Sequence, residues 1–291
     1  MPDLLEPPDH LSFSQCTTLL NELPYGCAQK WAFERIAGIP WAPSTAMAVG
    51  SAFDDAVTRL FHPRTVRGGD ASVPLDVEGA LRELEVGVNA VAMNWPEAAT
   101  ERVTDVLGPT LVEYARLHES TPALATQQDL TWWVDGEIPV VGRLDRLDRG
   151  RVITDLKTTG EAPKLDKDTG ECLDRRLDGW RLQLSFYALA LEAEVLEAGE
   201  EFLWPVSGAM DVVTIRAGQV KPKIDIIPVE LTADLAEQAK EIVRRAWRVS
   251  RSGIYPANPG DPCGRCPYTG LCREARAVET VPFSELWSRL S

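Results

Sequence analysis

Three cysteines stand at C-x2-C-x5-C in the run Pro262-Cys263-Gly264-Arg265-Cys266-Pro267-Tyr268-Thr269-Gly270-Leu271-Cys272. Thiolates this close can chelate a single metal centre. The set is one ligand short of the four sulfurs that complete a Zn²⁺ tetrahedron or an iron–sulfur cubane. The fourth ligand must come from a distant part of the chain. Cys27 is the first candidate and Cys16 its rival, while Cys172 lies in a charged stretch. A site that uses Cys27 ties the two ends of the chain together and leaves the segment between them as the working domain. Cysteine spacing by itself does not separate zinc from iron–sulfur.

That middle segment holds a second constellation. Gly142-Arg143-Leu144-Asp145 is followed by Asp155-Leu156-Lys157, and then by Gln183-Leu184-Ser185-Phe186-Tyr187. Metal-dependent cleavage of a phosphodiester needs an activated water, a grip on the phosphate and neutralisation of the charge that builds up in the transition state. Two carboxylates on neighbouring strands can share one Mg²⁺ or Mn²⁺, because hard cations prefer oxygen ligands. Asp145 is expected to end one strand and Asp155 the next, antiparallel one. Lys157 lies two residues beyond Asp155 and so points to the same face. Its ammonium can orient a water or steady developing charge. The plainer reading makes Asp145, Asp148, Asp155 and Lys157 the surface charges of a hairpin. The apolar Val152-Ile153 just before Asp155 argues for a buried strand instead.

The elements that must position these groups follow from periodicity. Leu130–Val134, Ile138–Leu147 and Arg151–Asp155 read as strands, joined by tight turns at Asp135-Gly136 and Arg149-Gly150. Upstream, Ser12 is placed to cap a helix carrying Cys16 and Leu19-Leu20. A second helix starts near Tyr25, holds Trp31, Phe33 and Ile36, and is ended by Pro40 and Pro43. Met47, Val49, Phe53, Val57 and Leu60 give Ala46–Leu60 helical spacing, and residues 63–75 read as a loop. Residues 77–94 and 98–118 are expected to be helices split by Pro96. Residues 161–175 read as a mobile loop. Gly179–Leu196 is an amphipathic helix that puts Gln183 and Tyr187 one turn apart on a shared face. Val212–Arg216 and Ile224–Glu230 are further strands, and Thr232 caps a helix running to Ser252. On that last helix Lys240, Arg244, Arg248 and Arg251 form a stripe with Arg245 beside it. Such a stripe can track phosphates, or it can be an ordinary solvated face. Arg175, Arg176 and Arg181 are expected to line a groove near the carboxylates.

The chain has 291 residues and a formal net charge of −14, from 44 acidic and 30 basic residues. That length fits one large domain or two small ones. The acidic balance argues against a protein that coats duplex DNA over a broad basic surface. It leaves room for a local basic groove beside obligatory carboxylates. No stretch reaches the ~20 apolar residues of a membrane span. The acidic, Pro-rich start Met1–Asp9 does not resemble a signal peptide. Six cysteines in such a chain read as reduced and metal-binding rather than disulfide-paired. The expected compartment is the cytoplasm, that of the host if a phage encodes the chain. No G-x-x-x-x-G-K-[ST] run is present, so no helicase motor is built in.

The order and spacing of these motifs resemble the RecB-like branch of the PD-(D/E)xK nuclease superfamily. More narrowly, they resemble its iron–sulfur exonucleases, which include the CRISPR-associated RecB-like exonucleases and the AddB nuclease domain. The resemblance runs from about Ser12 to Cys272. It implies an α/β, restriction-endonuclease-like core over residues 46–252, with a mixed central sheet flanked by helices. A helical segment, 1–45, carries the first cluster cysteine, and a cysteine-cluster segment occupies 253–291. The resemblance further implies a DNA exonuclease acting on single strands or ends, with Asp145, Asp155 and the Leu156 carbonyl on Mg²⁺ or Mn²⁺ and Lys157 assisting the water. Gln183 and Tyr187 would face the site and the DNA, by donating to a phosphate or stacking on a base, with Arg181, Lys240, Arg244, Arg248 and Arg251 as further DNA contacts. It favours a [4Fe–4S] cluster on Cys27, Cys263, Cys266 and Cys272. Implied partners are DNA and a helicase, recombinase or CRISPR-adaptation protein, with no membrane. The family usually places a histidine four residues after a helical glycine. Here Gly50 is followed at that distance by Asp54, an oxygen ligand in place of imidazole. Asp54 is therefore either a further metal ligand or, with Asp55, an ordinary helix-surface carboxylate. The same departure keeps a second function open, a degenerate nuclease fold that binds DNA ends or a partner without cutting.

Overall fold

A computed structural model describes residues 6–21, 23, 26–41, 43–94, 100–169, 171–174, 176–216, 219, 221–260, 263–264 and 266–275. Tyr25, Pro96, Arg175 and Pro262, singled out above, lie outside the described residues. The chain divides into two compact units. One comprises Pro43–Leu130 and Arg143–Ala236, and the other Met1–Ala42, Thr131–Gly142 and Glu237–Ser291.

The helices are α1 (Phe13–Leu19), α2 (Ala28–Arg35), α3 (Thr45–Thr65), α4 (Val77–Asn94), α5 (Thr100–Leu117), α6 (Arg176–Glu197), α7 (Ala233–Ser250) and α8 (Thr269–Ala275). The strands are β1 (Ala123–Val134), β2 (Ile138–Asp148), β3 (Val152–Thr159), β4 (Val206–Thr214) and β5 (Lys223–Leu231). They form one sheet in the order β1-β2-β3-β4-β5. β2 and β3 pair antiparallel, β3 and β4 parallel, β4 and β5 antiparallel. Parallel neighbours need a crossover, and α6 supplies it between β3 and β4. The result is the expected mixed sheet with flanking helices.

Local chemistry explains the joints. Asp135 (φ +56) and Gly136 (φ +72) make the two left-handed steps of a primed hairpin turn, closed by Glu137 N–H donating to the Val134 carbonyl at 3.1 Å. At the β2–β3 turn the left-handed residues are Gly150 and Arg151, one position later than the sequence suggests. Asp145 and Asp155 consequently lie inside their strands rather than at the ends, because β2 runs on to Asp148 and β3 to Thr159. Ser12 and Thr232 cap their helices as expected, accepting from Gln15 N–H and Leu235 N–H at 3.3 Å.

Two loop expectations change. α3 continues through Pro63 to Thr65. Arg64, 2% exposed, donates its guanidinium to the carbonyls of Val73, His118, Glu119 and Thr121. That tertiary anchoring outweighs the hydrogen bond lost at proline. Residues 161–175 are not featureless either. Leu165 bridges Cys172, Leu173 N–H donates to the Lys164 carbonyl at 2.7 Å, and the Asp166 side chain accepts from the amides of Asp168 and Thr169.

In the unit that contains α3 to α6, one core joins α3, α4 and α5 to the sheet through Phe53, Leu60, Phe61, Leu84, Leu107, Leu111, Tyr114 and Val213, all buried. Alternation along β3 sends Leu156 towards this core and Asp155 and Lys157 the other way, towards α6.

Candidate active site

Gly50 is where the site begins. A Cβ there would lie 2.6 Å from Thr158 Oγ1, so only glycine lets α3 approach β3 this closely. The approach brings Asp54, one helical turn later, to the same cleft as Asp145 of β2, Asp155 and Lys157 of β3, and Gln183 and Tyr187 of α6. The cleft encloses about 440 Å³ and is also lined by Ala46, Met47, Ser51 and Thr158.

The polar groups interlock. Lys157 Nζ lies 2.5 Å from Asp155 Oδ2, and Gln183 Nε2 donates to Asp155 Oδ1 at 2.9 Å and to Tyr187 Oη at 3.0 Å. Leu156 N–H donates to Asp145 Oδ2 at 2.7 Å. Gln127 Nε2 donates to Asp54 Oδ2 at 2.9 Å. Asp155 is 1% exposed, and its Oδ2 has the Lys157 ammonium beside it but no hydrogen bond of good geometry.

The three carboxylates are short of positive charge. Burial pushes Asp54 up to about 6, helped by the charges of Asp55 and Asp155. Burial also raises Asp145, with Asp155 and Asp54 adding to it. Asp155 rises through burial although Lys157 opposes it. Lys157 itself is raised, its burial outweighed by the carboxylates around it. Mutual repulsion of this kind is what a divalent cation relieves, and an all-oxygen donor set suits Mg²⁺ or Mn²⁺. The residues therefore fit such an ion. Among the described residues, no three His, Cys, Asp or Glu groups form a ready-made metal site as they stand.

Other predicted residues fall differently. Tyr187 is 8% exposed, its ring packed within α6's buried side, so it offers the cleft a hydroxyl rather than a stacking face. Gln183 is committed to Asp155 and Tyr187, so in this state it orients a carboxylate rather than a phosphate. Arg181 is 3.8 Å from Asp178. Arg176 is held by Asp174, lies over Trp180 and donates to Thr159 Oγ1 at the end of β3.

The basic side chains of the α7 stripe lie beside carboxylates of their own unit. Arg244 makes a two-pronged pair with Asp135 at 2.7 and 2.8 Å and also reaches Glu237. Lys240 is near Glu237 and Arg248 near Glu241. Arg251 lies over Trp247 and donates to the carbonyls of Pro7 and Pro8.

In this same unit, Cys27, Cys263, Cys266 and Cys272 line one small pocket with Phe33, Asn258 and Tyr268. Cys16 does not. It is fully buried in α1, and burial pushes its thiol far above the ordinary range. The pocket is built by loop geometry. A Cβ on Gly26 would run into the Leu20 carbonyl, and Asn258 Nδ2 donates to the carbonyls of Asn21 and Gly26 at 2.8 Å. Thr269 Oγ1 donates to the carbonyls of Cys263 and Cys266, and Tyr268 Oη to that of Ile39. Four thiols in one pocket are a donor set that suits zinc or iron–sulfur.

Sequence reasoning missed two groups. Gln127 sits in a polar stretch that gave no strand signal. The second is a buried network behind β2–β4. Arg146 donates to Tyr114 Oη (2.8 Å), Asp211 Oδ2 (3.0 Å), Asp148 Oδ1 (3.0 Å) and Thr154 Oγ1 (3.2 Å). Tyr114 Oη donates to Asp211 Oδ2 at 2.6 Å, with His118 Nε2 3.1 Å from the same oxygen.

The PD-(D/E)XK nuclease superfamily is matched over residues 10–273, nearly the whole chain. The chain belongs to this superfamily. No curated relative matches. Among solved structures, a candidate exonuclease from Eubacterium rectale is 19% identical, with 88% of each chain covered and a TM-score of 0.48. SSO0001 is 16% identical, covering 79% of this chain and 96% of that one, with a TM-score of 0.36. Membership in the superfamily accords with the D-x-K strand, the preceding aspartate and the mixed sheet. No described helix is long and apolar enough to cross a membrane.

Proposed function

We propose that this chain is a divalent-metal-dependent deoxyribonuclease acting on single-stranded or end-containing DNA, with a [4Fe–4S] cluster as a structural clasp. The observation that carries the reading is the convergence of Asp54, Asp145, Asp155 and Lys157 in one cleft. Asp54, Asp145, Asp155 and the Leu156 carbonyl are the groups that would hold Mg²⁺ or Mn²⁺. Such an ion supplies Lewis acidity and a water of lowered pKa.

The chain's own residues do the rest. Gln183 fixes the rotamer of Asp155 through Oδ1, and Tyr187 Oη accepts from the same amide. Leu156 N–H fixes Asp145. Lys157, held protonated by its carboxylate neighbours, orients the attacking water and steadies charge on the phosphate oxygens. Water adds to phosphorus, the ester P–O bond breaks, and the departing oxygen takes a proton.

For the clasp, the support is the shared pocket of Cys27, Cys263, Cys266 and Cys272. It would close a loop of more than two hundred residues, a cross-link of the kind worth about 5.5 kcal/mol in chain-entropy terms. Protein purified without oxygen is expected to be brown, and Cys263→Ala to lose its iron. One stoichiometric zinc in a colourless protein would refute the cluster. A helicase, recombinase or CRISPR-adaptation protein is the proposed partner class, since the chain has no motor motif of its own.

A binding-only module is the second reading, favoured by Asp54 standing where the family usually places a histidine and by the net charge of −14. Cleavage assays with Mn²⁺ on end-labelled and circular DNA, using wild type and Lys157→Ala, separate the two. Wild type should degrade the linear substrate and leave the circle. Lys157→Ala should bind equally well and cut ~10²–10³-fold more slowly. Equal, residual cutting by both proteins would refute the nuclease reading.

A further inference from the structure

We propose that Gln127 is a positioning residue of the carboxylate site, and that β1 carries a left-handed residue there in order to aim its amide at Asp54. The inference rests on the metal-site part of the proposed function and deepens it.

The backbone is the first observation. Gln127 has φ +49 in the interior of a strand that runs from Ala123 to Val134. Side chains with a Cβ are disfavoured in this region, and Gln lacks the short amide that lets Asn tolerate it. The second observation is a loss of alternation. A strand with one buried face alternates buried and exposed residues. In β1 that alternation is clear from Leu130, with Leu130, Trp132 and Val134 buried between exposed neighbours, whereas residues 124–128 are all half-buried. Gln127 lies in the stretch without alternation, as expected of a bulge that re-aims a side chain. The third is the contact that results. Gln127 Nε2 donates to Asp54 Oδ2 at 2.9 Å.

The chemistry of the donor fits the task. Asp145 and Asp155 come from paired strands and are fixed by Leu156 N–H and Gln183. Asp54 comes from α3 and needs its own support. A lysine or arginine at 127 would cancel the charge that a cation needs. A neutral amide fixes the carboxylate and leaves its charge in place, as outer-shell partners of metal ligands do. Strain retained at such a position is a mark of function rather than of folding.

The test uses the full chain with Gln127→Gly, Gln127→Ala and Gln127→Asn. It reads the Mn²⁺ dissociation constant by calorimetry, the thermal midpoint in chelator, and cleavage. Gly removes both the side chain and the strain, Ala removes only the side chain, and Asn tolerates the backbone but is one methylene short of Asp54. The glycine variant is expected to melt above the alanine variant, the reverse of an ordinary strand position. All three are expected to bind Mn²⁺ about 10-fold or more weakly than wild type. The asparagine variant keeps the test valid should alanine fail to fold. Variants that bind Mn²⁺ as tightly as wild type would overturn the inference, as would alanine melting above glycine. Wild type that binds Mn²⁺ in a Gln127-dependent way yet cuts no DNA would sink the nuclease reading and leave this inference standing. Wild type that binds no Mn²⁺ would sink both.

Discussion

Asp54→Asn is the most informative single change, because it removes a charge and almost nothing else. Asn keeps an oxygen that can accept from Gln127 Nε2, so the geometry of the contact survives. In the metal-free protein the Asp54 carboxyl is pushed from 3.8 to about 6. A folded-state pKa above the unfolded one means that the group opposes folding. The opposition is absent below the unfolded value, grows as pH rises through the folded value, and is complete above it. Two pH units correspond to about 3 kcal/mol, an upper figure because partial exposure screens the charge. At ~2–4 °C per kcal/mol for a chain of this size, the variant should melt several degrees above wild type. The assay is thermal unfolding in chelator at pH 7.5 and at pH 5. The gain should be large at pH 7.5 and shrink at pH 5, where wild-type Asp54 is mostly protonated. Adding Mn²⁺ at pH 7.5 should reverse the order, since an ion that binds only the folded state raises the wild-type midpoint by mass action. Asparagine no more stable than aspartate in chelator at pH 7.5 would refute the charge-frustration argument. An equal Mn²⁺ response in both proteins would remove Asp54 from the ligand set.

Three further outcomes are expected. Reversing Arg244 and Arg248 to Glu should leave the salt slope of DNA binding unchanged, because both side chains already answer carboxylates of their own unit; a slope reduced by about one per residue would restore the phosphate-track reading. Gly50→Ala should weaken Mn²⁺ binding by pushing α3 off Thr158, and adding Thr158→Ala, which removes the clashing Oγ1, should recover it; independent effects in this double-mutant cycle would break the argument. Asp211 is held at about 2 because His118, Arg146 and Tyr114 outweigh its burial, so its contribution of about 2 kcal/mol is present above pH ~4 and lost as pH falls towards 2. Urea titrations of wild type and Asp211→Asn should therefore converge near pH 2 and diverge above 4, and parallel curves would contradict it.

How much of this was legible depended on whether a residue's role is set by local or by distant partners. Asp145, Asp155 and Lys157 were legible, because a Gly-marked hairpin and period-2 alternation fix their neighbourhood within about one strand length. β3 still runs past Asp155 to Thr159, and β2 carries the polar Arg146 and Asp148 within its paired length. In the fold they are buried and answer each other. The α7 stripe is legible as a face, but its ion-pair partners are not. Helical spacing shows that Lys240, Arg244 and Arg248 align, and says nothing of Asp135, which lies 109 residues from Arg244 and is brought to it by the β1–β2 turn.

Gln127 was illegible for a sharper reason. Alternation detects a strand only while its phase holds, and a single left-handed residue resets that phase. The stretch Thr126-Gln127-Gln128-Asp129 therefore shows no alternation in the sequence, and the pattern predicts a strand only from Leu130 onward. The local irregularity that hid the residue is the one that turns its amide to Asp54. The same logic applies across the site. Gly50 costs helix propensity, Asp54 and Asp145 are carboxylates forced together, and Asp155 is buried beside a lysine. Each choice works against local stability, and all of them converge on one cleft. Folding requirements do not account for that concentration, whereas a divalent cation would relieve the negative charge the cleft holds.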